Sequence, residues 1–184
     1  MNQNVNNDDC IAAYRKHKNL KVAAYEVGIP WQTLYVRLVK AGEPVVGDKA
    51  RYGSMSDKLG AKGERLFQEL VPLAENNNDR EFQAKCDFTV RGLSVDVKAA
   101  PPKQTNKKYK GRSWAFSISR QESVADFFVC FGFSDNREDV DSVFLLPGEI
   151  VRFMRTISIS VAGDSKWKDY IIEKEELLEF FDSL

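Results

Sequence analysis

The sequence predicts an α/β fold: a mixed central sheet flanked by helices, preceded by a small all-α unit. Three observations carry this expectation. Apolar residues alternate strictly with polar ones on both sides of Arg91-Gly92, over residues 86–98, which is the period-two pattern of two half-buried strands. Residues 125–133 form an apolar run suited to a strand buried on both faces. Before residue 45 the apolar spacing is helical instead, and the segments are closed by Gly28-Ile29-Pro30 and Gly42.

Taken in order, Asn6-Asn7-Asp8-Asp9 offers a cap for a helix over Cys10–His17. Leu20–Val27 is a second helix, and Trp31–Ala41 a third. Small Ala24 lets the second and third helices cross closely, and Ile29, Leu34 and Leu38 bury the back of the third. The stretch from Val22 to Leu38 resembles a helix-turn-helix, in which the third helix enters the major groove. The outward candidates for DNA contact are Gln32, Thr33, Tyr35, Arg37 and Lys40, since Gln and Arg can pair bidentately with base edges. Six basic residues (Arg15, Lys16, Lys18, Lys21, Arg37, Lys40) accompany the acids Asp8, Asp9, Glu26 and Glu43, as a DNA reader requires. A protein-docking module is the alternative for the same helices. Residues 1–44 are therefore expected to form the helix-turn-helix unit, 45–56 a linker without periodicity, and 57–184 the second domain.

In the second domain, residues 57–74 carry a helical apolar stripe of Leu59, Leu66, Phe67, Leu70 and Val71. Asn76-Asn77-Asn78-Asp79 reads as a turn into the hairpin. A two-residue loop at Arg91-Gly92 pairs Val90 with Leu93 and Phe88 with Val95, which sets Asp87 opposite Asp96 with Lys98 on the same face. Facing like charges cost a sheet about 0.2–1 kcal/mol. The arrangement becomes favourable when a hard divalent cation lies between the carboxylates, and Mg²⁺ is commonly held by one or two carboxylates plus waters and phosphate oxygens. Pro101-Pro102 ends the strand. A basic stretch without acids follows, containing Lys103, Lys107, Lys108, Lys110 and Arg112, placed to meet a phosphate backbone. Trp114–Ile118, Val140–Leu146 and Ile157–Val161 read as further strands, the last at an edge. Pro147-Gly148-Glu149 starts a short helix, and Trp167–Phe181 reads as a terminal amphipathic helix.

Asp87, followed across a hairpin by Asp96-Val97-Lys98, resembles the core of the PD-(D/E)XK nuclease superfamily, with Cys86 where that motif often has Pro. The Asp126-Phe127-Phe128-Val129 strand and the later Phe144-Leu145-Leu146-Pro147-Gly148-Glu149 are similar to small phage and intron-associated, homing-type members. The resemblance covers most of residues 57–150. It implies a restriction-endonuclease-like core and Mg²⁺-dependent hydrolysis of DNA phosphodiesters, with Mn²⁺ able to substitute. Asp87 and Asp96 would be metal ligands, helped by the Val97 carbonyl. Glu64, at the edge of the helical stripe, would correspond to the glutamate these nucleases often carry on their first core helix. Lys98 would orient water and offset charge on the phosphate, and Gln121 is a further candidate near the site.

Composition narrows the alternatives. The 27 basic and 27 acidic side chains balance, which disfavours a generic nucleic-acid coat. A single histidine, His17, excludes a two-histidine zinc site and disfavours a Ser-His-Asp triad. No phosphate-cradling glycine loop is present, and no organic cofactor is expected. Three widely spaced cysteines (Cys10, Cys86, Cys130) read as reduced core thiols of a cytoplasmic protein, and neither a membrane span nor a signal peptide is apparent. The expected function is that of a site-specific endonuclease acting on double-stranded DNA, with the homodimer an open alternative to the monomer. The competing readings are a non-cleaving DNA-binding regulator and a structure-specific or junction nuclease.

Overall fold

The computed structural model describes residues 5–45, 49–79, 85–104, 111–118, 125–163 and 165–184, with only the backbone of Lys49 and Asp79. Residues 5–45 hold three helices, α1 (Asn7–His17), α2 (Leu20–Val27) and α3 (Trp31–Lys40). Local chemistry sets their ends. The Asn6 side chain accepts from the Asp9 amide at 2.7 Å, and the Asn19 side chain accepts from those of Lys21 and Val22. Gly28 terminates α2 in the left-handed region (φ 70°), where a residue without Cβ is least strained. Cys10, Ala13, Tyr14, Ala23, Ala24, Leu34 and Leu38 then close a core belonging to these helices alone.

The segment expected as a bare linker contains a one-turn helix, α4 (Lys49–Tyr52). The next helix, α5 (Met55–Leu70), begins before residue 57 because Ser54 and Asp57 form a reciprocal capping box. It also stops four residues short of Ala74: Pro72 cannot continue the ladder, and Gln68 Nε2 donates to the Ala74 carbonyl across the turn.

The remaining strands are β1 (Glu75–Asn76), β2 (Phe88–Val90), β3 (Leu93–Ala100), β4 (Lys103–Gln104), β5 (Arg112–Ser117), β6 (Phe127–Phe133), β7 (Val140–Pro147) and β8 (Thr156–Ser160). They form two sheets: a mixed one in the order β1-β2-β3-β6-β7, and a three-stranded antiparallel one in the order β4-β5-β8. β3 and β6 are parallel, and every other pairing is antiparallel. The hairpin has the register expected from alternation, Phe88↔Val95 and Val90↔Leu93. Its two-residue loop places both Arg91 (φ 52°) and Gly92 (φ 83°) in the left-handed region, the geometry that matches strand twist. Arg91 bears the strain of that position and forms an ion pair with Asp182 near the C-terminus.

One face of the mixed sheet packs on α5. Val95, Val97, Val129, Phe131 and Phe133 meet Leu59 and Phe67, with Leu177 and Phe181 closing the end. Full burial of each such side chain contributes about 1.5–3 kcal/mol. Helix and sheet touch most closely at Gly63, where a Cβ would lie 3.0 Å from Ala99 Cβ. The other face, bearing Phe128, Cys130, Phe144 and Leu146, is covered by Trp114, Phe116, Ile157 and Ile159 of the second sheet. Trp114 fits because position 132 is glycine: a Cβ there would sit 2.8 Å from the indole ring. The indole nitrogen donates to the Phe133 carbonyl at 2.8 Å.

Two further expectations need correction. The terminal segment is not one amphipathic helix but two 3-10 turns (Lys168–Tyr170, Lys174–Glu176) and the short α7 (Leu177–Asp182), with Ile171 bridging to Phe144 of β7. Pro147 caps the short α6 (Gly148–Val151) from outside instead of occupying its first position. Among the described residues no helix is long and apolar enough to cross a membrane.

Candidate active site

Period-two alternation along β3 sends Val95, Val97 and Ala99 toward α5 and Asp96, Lys98 and Ala100 to the opposite face. Asp96 is therefore carried into the interior by its strand, and it is the one buried charged residue among those described, at 4% exposure. The Asp87 carboxyl is its neighbour and acts on it directly. Lys98 Nζ lies 2.5 Å from Asp96 Oδ2. That ion pair is the close polar contact of Oδ2, which is otherwise buried without a hydrogen bond. Burial, reinforced by the neighbouring carboxyl, pushes the Asp96 acid up to about 7 although Lys98 pulls the other way. The site thus sets a buried carboxyl beside a half-buried one.

Asp87 reaches this position from just outside β2. β2 begins only at Phe88, so the Val97 amide has no strand partner on that side, and Asp87 Oδ2 accepts from it at 2.8 Å. The asparagine run, read as a simple turn, does more than reverse the chain. The Asn77 amide donates to the Asp87 carbonyl at 3.0 Å. Its side chain donates to the Cys86 carbonyl and sulfur and exchanges hydrogen bonds with Thr89. Asn78 Nδ2 lies 3.4 Å from Asp87 Oδ1. Two neutral amides thereby clamp the residue that bears the carboxylate. The only sequence signal was three consecutive asparagines, a pattern shared with any polar turn.

Cys86 is half-buried and not a core thiol as expected; Cys10 and Cys130 are buried, and all three are free. Burial raises the Cys86 thiol above its ordinary range, opposed by the Asn77 hydrogen bond. Asp126 fastens the far end of the β3–β6 pair, accepting from the Ser94 amide and hydroxyl at 2.8 and 2.7 Å, and these bonds lower its acidity range.

Other candidate residues fare differently. Glu64 is half-buried on α5 next to Gly63, and Gly63 packs on the Val97 and Ala99 side of β3, opposite to Asp96 and Lys98. Among the described residues no three His, Cys, Asp or Glu side chains gather as a metal-holding group. On α3, Gln32, Thr33, Tyr35 and Lys40 are exposed as expected. Arg37 is not: its guanidinium turns inward and donates to the Val5 carbonyl. Arg112 is held by Asp135, with Nη1 2.7 and 2.5 Å from the two carboxylate oxygens, so it is not an unengaged phosphate contact. Lys103 is exposed on β4, whereas Lys107, Lys108, Lys110 and Gln121 lie outside the described residues.

Protein-family models and curated proteins were both compared with the chain, and neither comparison gives a match.

Proposed function

We propose that this protein is a metal-dependent DNA endonuclease of the PD-(D/E)XK kind, with Asp87, Asp96 and Lys98 at its centre. The observation that carries the reading is the buried Asp96 carboxyl, set beside that of Asp87 and in ion-pair contact with the Lys98 ammonium. Burying a carboxylate costs several kcal/mol unless a partner compensates it. A proton or a hard cation compensates such a pair of carboxyls, and the couple fits Mg²⁺ or Mn²⁺, which complete their shell with water and phosphate oxygens.

In this reading Asp87 and Asp96 would hold the cation, with the Val97 carbonyl as an additional oxygen donor. A bound divalent ion supplies a Lewis acid toward the scissile phosphate and lowers the pKa of a coordinated water. The chain's own groups do the rest. The Val97 amide and the Asn77-Asn78 clamp hold Asp87 in its place without competing for charge. Asp96 must give up the proton that burial favours, so its anionic form is favoured as pH rises through about 7. Lys98, already in contact with Asp96, would move its ammonium to a phosphate oxygen and offset the charge developing there. The helices of residues 5–45 would bring DNA to the site through exposed Gln32, Thr33, Tyr35 and Lys40, and Lys103 would contribute a phosphate contact.

The test is incubation of plasmid with the full chain and Mg²⁺, with and without EDTA, alongside Asp96→Asn and Asp87→Asn. Cleavage that requires the metal and both aspartates is expected, with DNA binding within a few-fold of wild type for each variant. Undiminished cleavage by Asp96→Asn would sink the assignment.

A further inference from the structure

The face presented by α2 and α3 is poorly suited to reading an intact major groove. Groove readers project polar forks toward base edges, yet the one arginine of α3 is turned inward to the Val5 carbonyl. Rings share the exposed positions with Gln32, Thr33 and Lys40. Tyr25, in the last turn of α2, is 90% exposed; Trp31 and Tyr35, four residues apart along one side of α3, are 42% and 38% exposed. Tyr25 and Trp31 flank the same turn, Gly28-Ile29-Pro30. Val36 and Val39 continue the exposed apolar surface along α3. None of these side chains takes part in the cores of residues 5–45.

Charge on this face is one-sided. Glu26 is neutralised by Lys16 and His17, and Glu43 by Arg15. Lys21, in the first turn of α2, and Lys40, in the last turn of α3, have no ion-pair partner among the described residues. The surface therefore combines planar rings with Lys21, one turn before Tyr25 on α2, and the hydrogen-bonding side chain of Gln32 beside Trp31. A second copy of this chain is a poor occupant, because a two-fold contact would set a face whose unpaired charges are all positive against itself.

We propose that this face is a stacking platform for unpaired bases, so that the substrate is DNA carrying a single-stranded stretch, such as a gap, flap or melted junction. Bases stack on exposed Trp and Tyr regardless of sequence, while flanking lysines follow the phosphates. The inference rests on the nuclease reading only in naming DNA as the strand. It narrows the substrate from duplex in general to duplex interrupted by unpaired nucleotides.

The experiment is equilibrium binding by the full chain in EDTA, so that cleavage plays no part. The probes are a mixed-sequence single strand, the same strand in a blunt duplex, that duplex with a central gap, and an abasic strand of equal phosphate count. The expected result is tighter binding of the single strand and the gapped duplex than of the blunt duplex, by about tenfold or more. Trp31→Ala and Tyr25→Ala should each weaken single-strand binding several-fold, Trp31→Phe should retain most of it, and the abasic strand should bind as weakly as the alanine variants. Tyr25 is 90% exposed and outside the helical core, so its variant separates loss of binding from loss of the fold. Equal or tighter binding of blunt duplex overturns the proposal, as does binding indifferent to Trp31 and Tyr25. Self-association of the wild type that Trp31→Ala abolishes also overturns it, in favour of a second copy. Failure here alongside Mg²⁺-dependent duplex cleavage leaves the nuclease reading standing. Intact platform binding without cleavage of any probe sinks the nuclease reading alone.

Discussion

Asp96 works against folding at the pH where it would work as a ligand. Its acid is at about 7 in the folded protein against an ordinary value near 3.8. Between those values the folded state holds a proton that the unfolded state has released, so stability falls as pH rises from about 4 through 7 and levels off above. Asn at this position has the same shape and does not titrate. Asp96→Asn should therefore melt higher than wild type in EDTA, and its advantage should grow by several degrees between pH 5 and pH 8. Added Mg²⁺ should raise the wild-type melting temperature at pH 8 and leave the variant unmoved. A gain independent of pH would place the cost of this residue outside its ionisation. Asn77 is the complementary case. Asn77→Ala removes the hydrogen bonds to Cys86 and Thr89 and should lower stability by about 1–3 kcal/mol. It should reduce cleavage without changing binding in EDTA, and cleavage at the wild-type rate would show that Asp87 does not need the clamp.

At the scale of elements, the site depends on two close approaches made at glycines. Gly63 lets α5 lie against β3, and Gly132 receives the Trp114 ring that joins the second sheet to the first. A Cβ at 132 would meet the stiff indole ring at 2.8 Å, so the sheet of β4, β5 and β8 must shift. Gly132→Ala is expected to cost about 1–3 kcal/mol, the usual range for overpacking, and to move the tryptophan emission to longer wavelength as Trp114 loses burial. An unchanged spectrum with unchanged stability would mean that the second sheet yields freely at this contact. Asp96 lies on the face that this sheet covers, so the same variant tests whether its burial depends on that cover.

For the whole molecule, the question is how labour divides between the helices of residues 5–45 and the two-sheet core. Each encloses its own apolar cluster. A chain reduced to residues 53–184 keeps the Ser54–Asp57 capping box that starts α5, which a cut at residue 56 would destroy at a cost of about 1 kcal/mol. This truncation should retain Mg²⁺-dependent cleavage while losing most affinity, because the second contact no longer gains from effective concentration. A cleavage profile and affinity equal to those of the full chain would show that the N-terminal helices do not bring the substrate.

Local chemistry was legible in the sequence by itself. Alternation around Arg91-Gly92 sufficed for the hairpin register, because a slip of one residue would have turned Val95 and Val97 away from α5. Asn6, Gly28 and Gly42 marked the first helices through contacts spanning only a few residues. The apolar run at 125–133 announced the strand that lies inside the sheet. What only the tertiary structure decided involves partners distant along the chain. The division into two sheets depends on Trp114 meeting Gly132, and the engagement of Arg37 and Arg112 on Val5 and Asp135. Whether Asp96 is solvated or buried could not be read from its place in an alternating pattern, since alternation says which residues share a face but not what covers it. A second sheet over that face converted an expected polar surface into the buried setting that raises the Asp96 acid.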